Sequence, residues 1–352
     1  MENLVNITKK IYSQLQDDVS RSMFDNRILY MLTQNYEYID RIIWSLPQRQ
    51  ELDKAVEKCR QHRENVVIWG AGNDLLILKD LYPDLNIQYL CDKNKKLQKE
   101  GWNGIPVLSP EELVQRKNEI YVAINTSAFH EEIYQYLLEN GFDENKIIDM
   151  GKITYSLYSS QYFDKNIMES PCDGGIFVDG GCFDCSTDKE FIRWCSGNYQ
   201  KIYAFEPDAE NYEKCLEKSR KEQIKNIELY NKGLWNDEVE LSFEQTGGQG
   251  SKIGSEGNKE DLVIISTISL DAVLSEREVS MIKLDVEGAE LKALQGAEKT
   301  ILQCRPKLAV CIYHKPEDIV EIPAYLLSLH SDYKFYIRHY QMSANETVLY
   351  AV

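Results

Sequence analysis

The sequence predicts an α/β protein with two parallel, doubly wound sheets in series behind a helical segment. Two observations carry this. Continuous apolar runs, Val66-Val67-Ile68-Trp69 and Ile176-Phe177-Val178 among them, read as strands buried on both faces. These runs alternate with stretches of helical period and end in glycine or acidic residues, as strands of open α/β sheets do at a ligand crevice. The boundaries expected are a helical segment at 1–62, a first α/β domain at 63–150, a connector at 151–172 and a second domain at 173–352.

Composition narrows the function classes. The 352 residues are 43% hydrophobic and 28% charged, enough for a sizeable core. A net charge of −17 argues against non-specific binding to nucleic acid or to an anionic membrane surface. No apolar run approaches the ~18 residues of a membrane span, and MENLVNITKK has no signal-peptide core, so no membrane insertion is expected. Nine cysteines, an odd number, suggest reduced thiols and a cytoplasmic protein. Cys182-Phe183-Asp184-Cys185 is formally a C-x-x-C, but a zinc site needs further ligands and no histidine is near. Small buried cysteines and no metal are expected there.

In the first segment Leu4, Ile7, Ile11 and Leu15 recur at helical spacing, as do Tyr38, Ile42 and Ile43. These helices cap the first α/β domain or pair with a second copy in a homodimer. Beyond them, strand Val66 to Trp69 meets Gly70-Ala71-Gly72-Asn73, then a helix through Leu75, Leu78 and Leu81. A strand ending at Asp92 comes next, twenty residues beyond Gly72. This order suits a nucleotide: glycines admit a pyrophosphate, the helix start offers free N–H groups, and Asp92 could accept from ribose hydroxyls. The third glycine of that fingerprint is replaced by Leu75. With the Gly104 to Ser109 run, the unit resembles Rossmann-like sugar-nucleotide-binding domains of bacterial polysaccharide-biosynthesis enzymes. The resemblance implies a nucleotide or nucleotide-sugar at Gly70, Gly72, Asn73 and Asp92.

The second domain repeats the logic with different chemistry. Strand Ile176 to Val178 ends at Asp179-Gly180-Gly181-Cys182-Phe183-Asp184, strand Ile202 to Phe205 at Glu206-Pro207-Asp208, and strand Ile227 to Tyr230 at Asn231. Glu206 can take both ribose hydroxyls through its two oxygens. The Gly180-Gly181 turn admits a methionine-like tail, Asp179 can meet a cationic amine, and Phe183 and Asn231 complete the candidate cofactor set. The acidic groups on this turn would repel phosphates, which favours S-adenosylmethionine over NAD. Gln245 to Gly257 carries five glycines and reads as a hairpin tip or a lid. In MIKLDVEGAEL, Met281 to Leu291, a buried strand breaks into Asp285, Glu287 and Glu290, with Lys283 expected to pair with Glu287 or Glu290; a helix from Leu291 to Gln303 comes after it. Strand Lys307 to Tyr313 ends at His314, and the last two strands form an antiparallel hairpin.

Parallel strands closing in such a hairpin are the architecture of class I methyltransferases, a Rossmann-like sheet. FVDGGCFDCSTDKEF, YAFEPDAENY, STISLDAVL, IKLDVEGAEL and IYHKPEDIVEIPAYL, in order across the second domain, together resemble the FkbM family of S-adenosylmethionine-dependent methyltransferases. The first motif departs from the commoner Asp-x-Gly-Ala-Asn-x-Gly: Cys185 stands in place of its last glycine. The resemblance implies O-methylation of a sugar or polyketide hydroxyl. An acceptor hydroxyl needs alignment and a base, for which Asp285 and His314, ending adjacent strands, are the candidates. A histidine near pKa ~6.5 suits that role. Asp285, Glu287 and His314 could instead hold a divalent metal. Two other classes compete: an NAD-dependent nucleotide-sugar dehydrogenase or epimerase, and a non-catalytic nucleotide sensor. The only Tyr-x-x-x-Lys spacing, Tyr89 and Lys93, falls on a strand and its turn, which counts against the former.

Overall fold

The computed structural model describes residues 4–168, 175–244, 252–253, 262–274 and 278–352. The chain forms two compact units: Asp40–Ser159 with Tyr340–Ser343, and Met1–Ile39 with Ser160–His339 and Ala344–Val352.

The smaller unit holds five parallel strands, β1 (Val66–Trp69), β2 (Tyr89–Cys91), β3 (Val107–Leu108), β4 (Tyr121–Ile124) and β5 (Ile147–Asp149), in the order β3-β2-β1-β4-β5. The order reverses at β1 and β4, where such sheets open a crevice. Gly70 leaves β1 at φ +118°, and a Cβ there would stand 2.7 Å from the Asn125 carbonyl that leaves β4, so only glycine fits. The expected connector begins as a helix, Met150–Tyr158, packed on helix Pro47–Gln61. Tyr- and Ser-rich sequence hid it because its apolar face is short.

The larger unit contains β6 (Ile176–Gly180), β7 (Lys201–Phe205), β8 (Ile227–Tyr230), β9 (Gly233–Leu234), β10 (Glu240–Glu244), β11 (Lys252–Ile253), β12 (Leu262–Ile268), β13 (Val279–Leu284), β14 (Lys307–Cys311), β15 (Phe335–His339) and β16 (Thr347–Ala351). Seven form one sheet, ordered β15-β16-β14-β13-β6-β7-β8. β8, β7, β6, β13 and β14 run parallel, and β16 enters antiparallel between β14 and β15. This is the class I methyltransferase sheet. Every residue of β16 is buried, whereas β15 alternates as an edge strand does. β10 and β12 leave this sheet and form a small one, ordered β11-β10-β12-β9. The glycine-rich span at 245–257 lies outside the described residues apart from 252–253.

Two local features differ from the sequence expectation. The helix expected from Leu291 to Gln303 is two helices, Glu290–Gln295 and Glu298–Cys304. They break at Gly296, where a Cβ would stand 2.0 Å from the Trp235 carbonyl. Part of the N-terminal segment belongs to this unit: helix Asp18–Thr33 lies on β15. There Ser20 Oγ accepts from the Ile337 amide at 2.9 Å and Asp17 pairs with Arg338 at 2.6 Å. The helix thereby covers an edge that would otherwise offer unpaired backbone groups.

Candidate active site

The carboxyl ends of β6, β7 and β8 build one wall. After Gly180 the chain turns sharply, and the amides of Gly181 and Cys182 both donate to the Phe205 carbonyl, at 2.9 and 3.1 Å. Gly181 has φ +78°, and a Cβ there would sit 1.9 Å from the Asp285 carbonyl. A Gly181→Ala variant is therefore expected to lose at least about 2 kcal/mol, from left-handed strain and the clash together. Thermal unfolding checks this, and an unchanged midpoint would show that the turn relaxes freely.

Glu206 leaves β7 with only 7% of its surface exposed. Its two oxygens accept from the amides of Phe183, at 2.9 Å, and Asp208, at 3.0 Å. Burial pushes its carboxyl up to about 7, against those two hydrogen bonds. Each oxygen keeps a second lone pair for another donor. Asn231 braces the same turn, donating to the carbonyls of Glu206 and Pro207 at 2.9 and 3.1 Å. The Phe183 side chain, 44% exposed, stands at the surface of the turn.

Asp179 is placed differently from expectation. It is fully buried, and its Oδ1 lies 2.9 Å from Lys283 Nζ. The two residues face each other directly across β6 and β13. Lys283 also donates to the carbonyls of Gly180 and Gly181, at 3.2 and 2.7 Å. Lys283 therefore pairs with Asp179, not with Glu287 or Glu290; Asp179 Oδ1 meets this internal cation, while its buried Oδ2 has no hydrogen-bond partner. Burial alone would lower the lysine, but the Asp179 and Asp285 charges outweigh it and raise it. Burial outweighs the lysine charge on Asp179 and pushes its carboxyl upward.

The ends of β13 and β14 build the other wall. Asp285 accepts from Tyr162 Oη at 2.9 Å and from Tyr313 Oη at 3.2 Å. His314 Nε2 lies 3.6 Å from Asp285 Oδ1 and 3.3 Å from Glu287 Oε2, and Nδ1 lies 2.9 Å from Glu290 Oε1. Neither ring nitrogen completes an aligned hydrogen bond, so these contacts are mainly electrostatic. Burial alone would depress His314, but the Glu290 charge, helped by Glu287 and Asp285, lifts it to about 11. His314 thus carries a proton at neutral pH and does not wait as a free base: three carboxylates hold a cation among them. Burial alone would raise Asp285, but the Lys283 and His314 charges lower it. Glu290 is fully buried and accepts from the Val286 amide at 2.9 Å, so it supports both the turn and the imidazolium.

Sequence reasoning missed Tyr162, Tyr313 and Glu346. Glu346 lies in the turn before β16, accepts from Tyr313 Oη at 3.4 Å and from Gln161 Nε2 at 2.6 Å, and is raised to about 7 by burial and the Asp285 charge. Tyr162 comes from the segment read as connector, held at φ +68° with its ring buried. No pattern in the sequence marks either residue, because each reaches the site through chain reversal.

In the smaller unit Asp92 is turned onto its own loop, accepting from the amides of Ala71 at 3.0 Å and Asn94 at 2.8 Å. Gly72 and Asn73 remain exposed at the helix start. Gly70 is taken up by the contact with Asn125.

A glycine turn, a buried acid after the second strand and an acidic cluster after the fourth, on a sheet with one antiparallel insertion, define a methyltransferase. Residues 184–335 match the family model Methyltransferase FkbM domain, and the protein is an enzyme. Residues 62–148 match a second family, C2185-like, N-terminal. No curated protein matches the chain. Among solved structures it is similar to the methyltransferase FkbM from Methylobacillus flagellatus at 16% identity, covering 87% of this chain and 99% of that one, with a TM-score of 0.49. An rRNA methylase from Streptococcus thermophilus shares 17% identity over 53% of this chain and 89% of its own, TM-score 0.34. A SAM-dependent methyltransferase from Aquifex aeolicus shares 14% over 55% and 92%, TM-score 0.30.

Proposed function

We propose that this enzyme moves a methyl group from S-adenosylmethionine to a hydroxyl of a sugar, glycan precursor or related small molecule. The observation that carries the cofactor is Glu206: a nearly buried carboxylate after the second strand, beside a glycine turn, with lone pairs free for two ribose hydroxyls. Asn231 and Phe183 would flank the adenosine. Asp179 acts through Lys283, which fixes the carbonyls of the turn.

The acceptor would lie against Asp285, Glu287 and His314. Displacement at the sulfonium carbon forms the O–CH3 bond and breaks the S–CH3 bond, and the hydroxyl proton must leave. With His314 already protonated, that proton passes to a carboxylate, and Glu287 is the more exposed of the two that face Nε2. His314 then balances the charge and orients both acids. His314→Ala is expected to slow turnover about tenfold to hundredfold while S-adenosylhomocysteine affinity stays within about threefold. Turnover counted by S-adenosylhomocysteine release, with binding by calorimetry, tests this; full turnover removes His314 from the mechanism.

The smaller unit is proposed to bind a nucleotide or nucleotide-sugar at Gly72 and Asn73, the exposed part of its turn. A homodimer through the N-terminal helices is supported by exposed Leu4, Val5, Leu29 and Leu32. Among the described residues no helix is long and apolar enough to cross a membrane. The cytoplasmic proposal rests on the eight described cysteines, none of them in a disulfide.

A further inference from the structure

The C-x-x-C of the cofactor turn gains a third thiol in the fold. Cys182 and Cys185 flank Phe183-Asp184, and Cys215 comes from helix Ala209–Lys221. The sulfurs of Cys182 and Cys215 are 3.6 Å apart, and all three lie within 4.8 Å of one another, buried. A tetrahedral zinc with Zn–S near ~2.3 Å sets its sulfurs about 3.8 Å apart, whereas a disulfide needs about 2.05 Å. Asp188, on the first turn of helix Ser186–Trp194, is fully buried beside Cys185, next to this group and outside its three sulfurs. The Cys215 thiol also donates to the Phe183 carbonyl at 3.2 Å, so the group is tied to the cofactor turn itself.

We propose that Cys182, Cys185 and Cys215 form a structural zinc site that pins the cofactor turn to helix Ala209–Lys221, with the neighbouring Asp188 carboxylate turning in as the fourth ligand when the ion binds. Soft thiolates select zinc over magnesium or calcium. The backbone agrees. Cys185 adopts φ +60°, a left-handed conformation that costs a non-glycine residue about 1–2 kcal/mol, where the FkbM-like motif has glycine. A sulfur required at that position offsets the strain. Thiol protons leave to solvent on binding, and affinity rises with pH. The gain for the enzyme is a fixed Phe183 amide, which donates to Glu206.

The test uses the full chain without a metal-binding tag, expressed with zinc and purified free of chelator. Elemental analysis is expected to find one zinc per chain, and replacement by Co(II) to give an intense near-ultraviolet thiolate-to-cobalt absorption. Cys215→Ser should drop zinc below stoichiometry. Should that variant fail to fold, Asp188→Asn is expected to fold and to bind Co(II) about 10- to 100-fold more weakly, with an altered spectrum. Zinc at trace level with no cobalt band overturns the proposal, as does recovery of Cys182 and Cys215 as a disulfide in the zinc-grown protein. An Asp188→Asn variant with unchanged cobalt affinity and spectrum overturns the four-ligand site.

Discussion

Lys283→Met is expected to destabilise the larger unit by roughly 3–5 kcal/mol. The ammonium lies within 2.9 Å of a carboxylate that is itself fully buried. Its removal strands that charge and two carbonyls, those of Gly180 and Gly181. The loss should appear as a lower urea midpoint with little change in slope. Asp179→Asn combined with Lys283→Met should recover a large part of the loss, because the uncompensated charge then disappears. If the double variant is no more stable than the single one, the ion pair is not the source. The same variants should weaken S-adenosylhomocysteine binding, since Lys283 holds the turn that Glu206 bonds to.

Glu206→Gln should weaken S-adenosylhomocysteine about 10²-fold, the loss of charge-assisted hydrogen bonds to two hydroxyls. In the parent protein affinity should fall with acidification below pH 7. Burial has raised this carboxyl to about 7, and only the ionised form accepts from both ribose hydroxyls. Between pH 8 and pH 6 the ionised fraction falls about tenfold, and the affinity with it. The sign for stability is opposite: the folded state holds the proton more tightly than the unfolded one. The contribution of this group to stability therefore declines as pH rises towards 7 and is constant above. Calorimetric titration across that range checks it. A flat affinity profile would rule out the carboxylate as ribose partner, and an unchanged Glu206→Gln affinity would do the same.

Much of the fold was legible because buried parallel strands write themselves as unbroken apolar runs. Val66 to Trp69 and Ile176 to Val178 meet neighbours on both faces and are unbroken, and Met281 to Leu284 is interrupted only by Lys283, itself buried. The acids at strand ends were legible for the same reason: Asp179, Glu206 and Asp285 stand where an apolar run stops. The final hairpin was legible as two strand-like segments, one alternating and one apolar, joined by a polar turn. The break at Gly296 was not, because its cause is the Trp235 carbonyl from another part of the chain.

Roles were another matter. Sequence places Lys283 two residues from Asp285 and four from Glu287, yet its partner is Asp179, brought opposite by the register of β6 and β13. A histidine next to a strand end suggests a base near neutrality; the fold surrounds it with Asp285, Glu287 and Glu290 and makes it a cation. The sequence alone determined the strands, the order of the motifs and the strand ends where the candidate site residues stand, since these depend on local pattern and period. Only the tertiary structure decided which charges meet, that Tyr162 and Glu346 reach Asp285, and that Cys215 joins the C-x-x-C. Such pairings depend on register and burial between distant segments, and no local pattern encodes them.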